Sequence, residues 1–243
     1  MRMVVFAKRC AKEIVRDPLN LFFGLGFPVV LLILLSAIQA NVPVDIFQIT
    51  HLAPGIVVFG LSFMTLFSAT LLARDRESAF LQRLYTTPLR PSDFILGYLL
   101  PLIPIALGQS LITYLCALPL GLPLGITLVY ATVLKLPVIL FYIALGLLCG
   151  SVFNVKQVGG ICGALLTNGS AWLSGIWFDP QLVGGVFGKI ANLLPFLHAV
   201  ELERAAINGD FSQVLPHIVP VLLYAIATTL AAIILFLRQM KHQ

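Results

Sequence analysis

The sequence predicts an all-α integral membrane fold: six transmembrane helices preceded by an amphipathic interfacial N-terminal helix. Three observations carry it. Soluble domains carry about 25% charged residues, whereas this chain of 243 residues has 10%, against 59% hydrophobic. Apolar stretches long enough to cross a bilayer, about 20 residues each, recur along its whole length. Its basic residues cluster in alternate connections. Backbone groups in lipid can bond only to each other, so each span must be helical.

Residues 1–17 form the lead-in. At 100° per residue, Lys8, Arg9, Lys12, Glu13 and Arg16 cover one side, and Met3, Phe6, Ala7, Cys10, Ala11 and Ile14 the other, each arc roughly 140° wide. That is an interfacial helix with its basic face toward lipid headgroups. No A-x-A cleavage pattern follows, so the first span is expected to be retained. Asp17-Pro18 turns the chain into the membrane.

The spans are expected at about Leu19–Ile38, Ala53–Ala73 and Phe94–Leu118, then one ending near Val152, then Val158–Trp177 and Leu215–Leu237. The fourth starts between Ile126 and Leu136. Pro101 and Pro104 predict a kink in the third, since each removes a backbone donor. The N-terminal helix carries five Lys/Arg, the 74–93 hairpin four, the 153–157 loop one and the C-terminal tail two, against Lys189 and Arg204 on the other side and Lys135 at an ambiguous depth. The positive-inside rule then places both termini and the hairpin in the cytoplasm. The outer segment 178–214 is apolar but too broken for a seventh span. It is expected to dip into the outer leaflet as short helices, then run as a surface helix stopping at Asn208-Gly209, with Glu201, Glu203 and Arg204 as a charged cluster.

No catalyst is visible. "GGVFGKI" lacks the GxxxxGK[ST] spacing that aims backbone amides at phosphates. His198 and Glu201 have no second histidine to complete a zinc pair, and the four cysteines are scattered singly. Ser170 and Ser174 read as helix hydrogen-bonding groups. Within the spans, Gln109, Asn168 and Lys135 are the unusual polar residues and candidates for a substrate pathway. Interhelical hydrogen bonds are the other reading of the two amides, and snorkelling to the outer interface that of Lys135. Gly146/Gly150 and Gly159/Gly163 are GxxxG pairs that permit close helix contact.

Seven of the chain's 15 basic and 10 acidic side chains fall between residues 71 and 100. Arg74, Asp75, Arg76 and Glu77 end the second span. Phe80, Leu81 and Leu84 then share one helical face, and "TTPLRPSD" redirects the chain into the third span. A short helix between two span ends is a lever, although its apolar face could equally rest on the membrane.

"RESAFLQRLYTTPLRPSDFILGYLL" resembles the cytoplasmic hairpin of permeases of the ATP-binding-cassette type-2 exporter family, with Arg76, Glu77, Leu81, Leu84, Pro88, Leu89 and Gly97 in the pattern. "LSGIWFDP" and "IANLLPFLHAVELERAAINGDF" resemble its outer segment through Ser174, Gly175, Phe178, Pro180, Asn192, Pro195, Arg204 and Gly209. Asp179, between Phe178 and Pro180, and the missing proline in "QLVGGVFGK" depart from it. The resemblance covers essentially the whole chain, residues 1–243, as one permease domain. It implies a transmembrane subunit without its own ATPase, in the cytoplasmic (inner) membrane of a bacterium. It also implies a homodimer in membrane lipid, docked on two ABC ATP-binding subunits, with no nucleic-acid partner. ATP and Mg would sit on those subunits, and no cofactor on this chain. The hairpin then looks like the coupling helix, seating Phe80, Leu81 and Leu84 in the ATPase and braced by Arg76 and Glu77. "ERAAINGDFSQVLP" is too short for the importer EAA loop and lies on the wrong side, so export of a hydrophobic drug, lipid or peptide is expected. The alternative is an ion-gradient-driven secondary transporter, which should show acidic residues deep in its spans; the sequence suggests none.

Overall fold

The computed structural model describes residues 2–42, 45–78 and 91–242. All regular structure among them is helical. Five helices are long and apolar enough to cross a membrane: Pro18–Asn41, Ile49–Glu77, Asp93–Leu120, Thr127–Val152 and Phe211–Arg238. We label the elements α1 (Arg2–Val15), α2 (Pro18–Asn41, with a π turn at Phe22–Gly26), α3 (Ile49–Glu77), α4 (Pro91–Ala117), α5 (Thr127–Leu134) and α6 (Leu136–Val152). A helical stretch follows as Val155–Val158, a π segment Gly159–Leu166, and Thr167–Leu173, together α7. Then come α8 (Pro180–Val183), α9 (Gly185–Leu193), α10 (Pro195–Asn208) and α11 (Phe211–His242).

Among the long helices α3 is the axis: 89% of its apolar window is buried, against 22% for α2 and 17% for α11. It packs along α6 and α4, while α11 packs along α6 and α10. The α3–α6 seam is close because α6 has no side chains there to hold it off. A Cβ on Gly146 would run into Ser68 Oγ and the Thr65 carbonyl, and one on Gly150 would lie 2.6 Å from the Ala69 carbonyl oxygen. The freed space lets Thr65 Oγ1 donate to Tyr142 O (2.9 Å) and Ser68 Oγ to Ile143 O (3.0 Å), bonds strengthened by the apolar surroundings. The other pair behaves differently: no atom lies within 4 Å of a Cβ on Gly159. The outward faces of α2 and α11 are apolar (Val30, Ile33, Leu34; Leu223, Ile226, Leu230), as lipid-facing surfaces must be. The chain is a multi-pass membrane protein.

The fifth expected span corresponds to α7, a helix that carries a π segment and the polar residues Lys156, Gln157 and Asn168 and is not among the five. Two expectations change. Lys135 does not snorkel: it sits at the break between α5 and α6, fully buried. Finally, α10 is no surface helix. It opens with Pro195 at its first position and stops at Gly209 (φ 73°), the stop read from the sequence. Between these ends it packs against α11, α3 and α5, burying Leu202, Glu203, Ala206 and Ile207.

Candidate functional site

Four consecutive charged residues end α3, and each holds a different element. Arg74 Nη1 lies 3.5 Å from Asp17 Oδ2, at the elbow between α1 and α2. Asp75, 1% exposed, accepts two hydrogen bonds from the Arg9 guanidinium, both 2.6 Å, and one from Tyr98 OH at 2.8 Å. Arg76 Nη1 donates to the carbonyls of Gly150 (2.7 Å) and Phe153 (3.4 Å), where α6 ends. Glu77 Oε1 accepts from Val155 N–H (2.8 Å), where α7 begins.

The order of signs follows from helix electrostatics. A helix C-terminus presents unsatisfied carbonyls and partial negative charge, and an N-terminus unsatisfied N–H groups and partial positive charge. The loop 153–154 sets the end of α6 beside the start of α7, so an arginine and a glutamate in succession match both. Asn154 completes the start of α7 as a capping box with Gln157.

The apolar face of α1 fastens this junction to α4. Phe6 makes edge contacts with Phe94 (5.9 Å) and Tyr98 (5.0 Å), worth about 0.5–1.5 kcal/mol each beyond burial. Its ring lies against Gly97, where any Cβ would collide with it. The glycine of the hairpin pattern is thus a docking place for α1. Cys10 and Ile14 complete the buried stripe. Burial, with the Asp75 charge beside it, pushes the Cys10 thiol up to about 12. For Arg9, burial acts to lower the pKa, but the hydrogen bonds and charge of Asp75 outweigh it and the net shift is upward. Arg9 therefore turns inward, not to headgroups.

Of the residues singled out from the sequence, Arg76 and Glu77 meet at this junction. Phe80, Leu81 and Leu84, with Pro88 and Leu89, lie outside the described residues. The pathway candidates are scattered. Gln109 is fully buried over Gly60 of α3, within 3.3 Å of Thr113 and 3.4 Å of Ser110 of its own helix. Asn168 is exposed and donates to Ala164 O at 2.8 Å. Lys135 Nζ lies 3.6 Å from Glu203 Oε2 and 4.4 Å from the Tyr114 ring centroid, and Tyr114 OH donates to the same carboxylate oxygen at 2.6 Å. A second lock thus stands at the other end of the bundle, joining α10 to α4 and to the α5–α6 break. Beside it Arg204 reaches Glu201 (2.7 Å), Gly175 O (3.0 Å) and His51 O (3.3 Å).

Sequence reasoning missed Arg9, Asp75, Tyr98, Tyr114 and Glu203. Asp75 carried a signal, an acid between two arginines at a span end; Glu203 carried none, because its burial depends on how α10 folds back.

The sequence model of one family, described as ABC-2 type transporter, matches residues 2–208, a range that takes in both locks. No curated protein matches the chain.

Proposed function

The chain belongs to the ABC-2 type transporter family, and from that premise we propose that it is the membrane subunit of an ATP-driven exporter. It works as a homodimer coupled to two separate ATP-binding subunits. Both termini and the hairpin are cytoplasmic, and α7 is the fifth of six spans, with α11 the sixth. The hairpin helix seats Phe80, Leu81 and Leu84 in the ATPase. Closure of the ATPase pair on ATP pushes the hairpin, and the push arrives at Arg74–Glu77.

What carries this reading is that those four residues grip α1, α2, α4, α6 and α7 at once. A force delivered there moves the helix ends as a set, the kind of rigid-body motion by which packed bundles switch between two states. ATP supplies the energy; the permease need only have two arrangements of similar free energy. Dimerisation is supported by the open face of α7. Gly159, Gly160 and Gly169 have no atoms within 4 Å of a Cβ, and the exposed Leu165, Asn168 and Trp172 lie on the same helix. An amide in an apolar face gains from a partner across a helix contact. The exposed side chains of α4 (Leu111, Ile112, Leu115) are uncharged, which suits a hydrophobic drug, lipid or peptide as cargo.

The test is co-purification of the permease with its ATP-binding subunit, comparing the parent with Leu84→Asp. A stable complex that stimulates ATP hydrolysis, lost in the variant, is expected. Equal binding by both removes the hairpin from the interface. An ion-gradient-driven carrier would rest on Glu203, the buried carboxylate that the sequence concealed. It requires that Glu203→Gln abolish transport driven by an ion gradient without any ATPase subunit.

A further inference from the structure

An open groove of about 910 Å³ runs along α1 and over the elbow into α2, lined by five basic side chains and two carboxylates. Both carboxylates are engaged. Glu13 pairs with Arg9 at 2.9 Å, and Asp17 caps α2 through Asn20 N–H at 3.2 Å and its amide at 2.8 Å. Arg9 is itself committed to Asp75. Lys8, Lys12 and Arg16 remain, one helical turn apart on one face. Among the described residues their side chains have neither an ion pair nor a hydrogen-bond partner. Like charges at i, i+4 destabilise a helix, so α1 carries a repulsion that an anion would relieve. Arg74 reaches the groove from α3, with only a 3.5 Å contact to Asp17.

The surroundings identify the anion. Exposed Val4, Val5 and Val15 interleave with the cations. Past the elbow, exposed Leu19 and Phe22 continue the apolar track down the outer face of α2. Because α1 packs on the first turns of α4 through Phe94 and Tyr98, the groove lies where membrane-spanning helices end, at headgroup depth. A free anion or an acidic protein would use the charges and leave the track bare; a phospholipid uses both. We propose that this groove is a binding site for an anionic phospholipid, with the phosphate on Lys8, Lys12, Arg16 and Arg74 and an acyl chain along Leu19 and Phe22. Arg74 directly precedes Asp75, so a bound lipid ties the elbow to the root of the hairpin. The inference goes beyond the exporter reading and requires no ATPase.

The test uses the purified full chain alone, delipidated and returned to phosphatidylcholine nanodiscs doped with phosphatidylglycerol, with bound lipid counted by native mass spectrometry. A saturable phosphatidylglycerol site is expected. Each basic residue near an anionic surface contributes about fivefold in affinity, so Lys8→Gln/Lys12→Gln/Arg16→Gln should weaken it on the order of 100-fold. If the triple variant does not fold, Arg16→Gln alone should show about a fivefold loss. Lys8→Arg/Lys12→Arg should bind like the parent, and Leu19→Ser/Phe22→Ser should lose lipid with the charges intact. Equal binding of phosphatidylcholine, displacement by inorganic phosphate at lipid-like concentration, or phosphatidylglycerol binding by the glutamine variants within twofold of the parent overturns the proposal. In a separate co-purification, a triple variant that keeps its lipid but loses the ATP-binding subunit also overturns it, since the groove would then be a protein-docking surface.

Discussion

Replacing Lys135 by Met leaves the carboxylate of Glu203 fully buried with its counter-ion gone. At 3.6 Å and an effective dielectric near 20, the lost attraction is about 5 kcal/mol. Tyr114 OH still donates to Oε2, but Glu203 Oε1 has no hydrogen-bond partner to compensate. Removing one member of a buried pair costs about 3–5 kcal/mol, whereas removing both charges together is often near neutral. Lys135→Met should therefore cost about 4 kcal/mol and Lys135→Met/Glu203→Gln about 1 kcal/mol, because a glutamine still accepts from Tyr114. For a chain of this size each kcal/mol moves Tm by about 2–4 °C, so thermal unfolding in detergent should separate single from double variant by roughly 10 °C. If the double variant is as unstable as the single, or both match the parent, the buried pair is not the lock between α10 and the bundle.

Asp75→Asn removes the charge that holds Arg9 and accepts from Tyr98. With Arg9 partly exposed the loss should be about 2–3 kcal/mol, seen as faster amide exchange across α1. Gly146→Leu drives a side chain into Ser68 and the Thr65 backbone and should cost more than about 3 kcal/mol, enough to abolish a monodisperse preparation. Gly159→Ala, pointing into open space, should change stability by less than about 1 kcal/mol. The thiolate of Cys10 is absent well below its pKa of about 12, so Cys10 should resist maleimide at neutral pH until the chain is unfolded.

The all-helical fold and the positions of the five long apolar helices were legible because hydropathy is local. Asn208-Gly209 gave the end of α10, and the Gly146/Gly150 spacing marked a place for close helix contact, though not that α3 fills it. What could not be read were contacts across the chain. Arg9 and Asp75 are far apart in sequence, and nothing near Arg9 marks it as different from Lys8 or Lys12. Glu203 looked like part of a solvated cluster with Glu201 and Arg204, and Lys135 like an interfacial lysine. Each makes sense only once α10 folds back and the two charges meet. The amphipathic pattern of α1 was correct, but its apolar stripe is spent on α4, leaving only the interleaved valines to face lipid.

If Arg76 and Glu77 transmit the hairpin's movement to α6 and α7, nucleotide binding must be felt at the far end of the bundle. In a cysteine-free background carrying Leu182→Cys, exposed on α8 at the opposite end of the bundle, maleimide labelling would be followed with the ATP-binding subunit bound, with and without a non-hydrolysable ATP analogue. A nucleotide-dependent change in labelling rate is expected for the parent. With Glu77→Ala the change should be lost although the ATP-binding subunit still co-purifies. A change of equal size in both would mean that the push travels by another route, and the junction would be structural only.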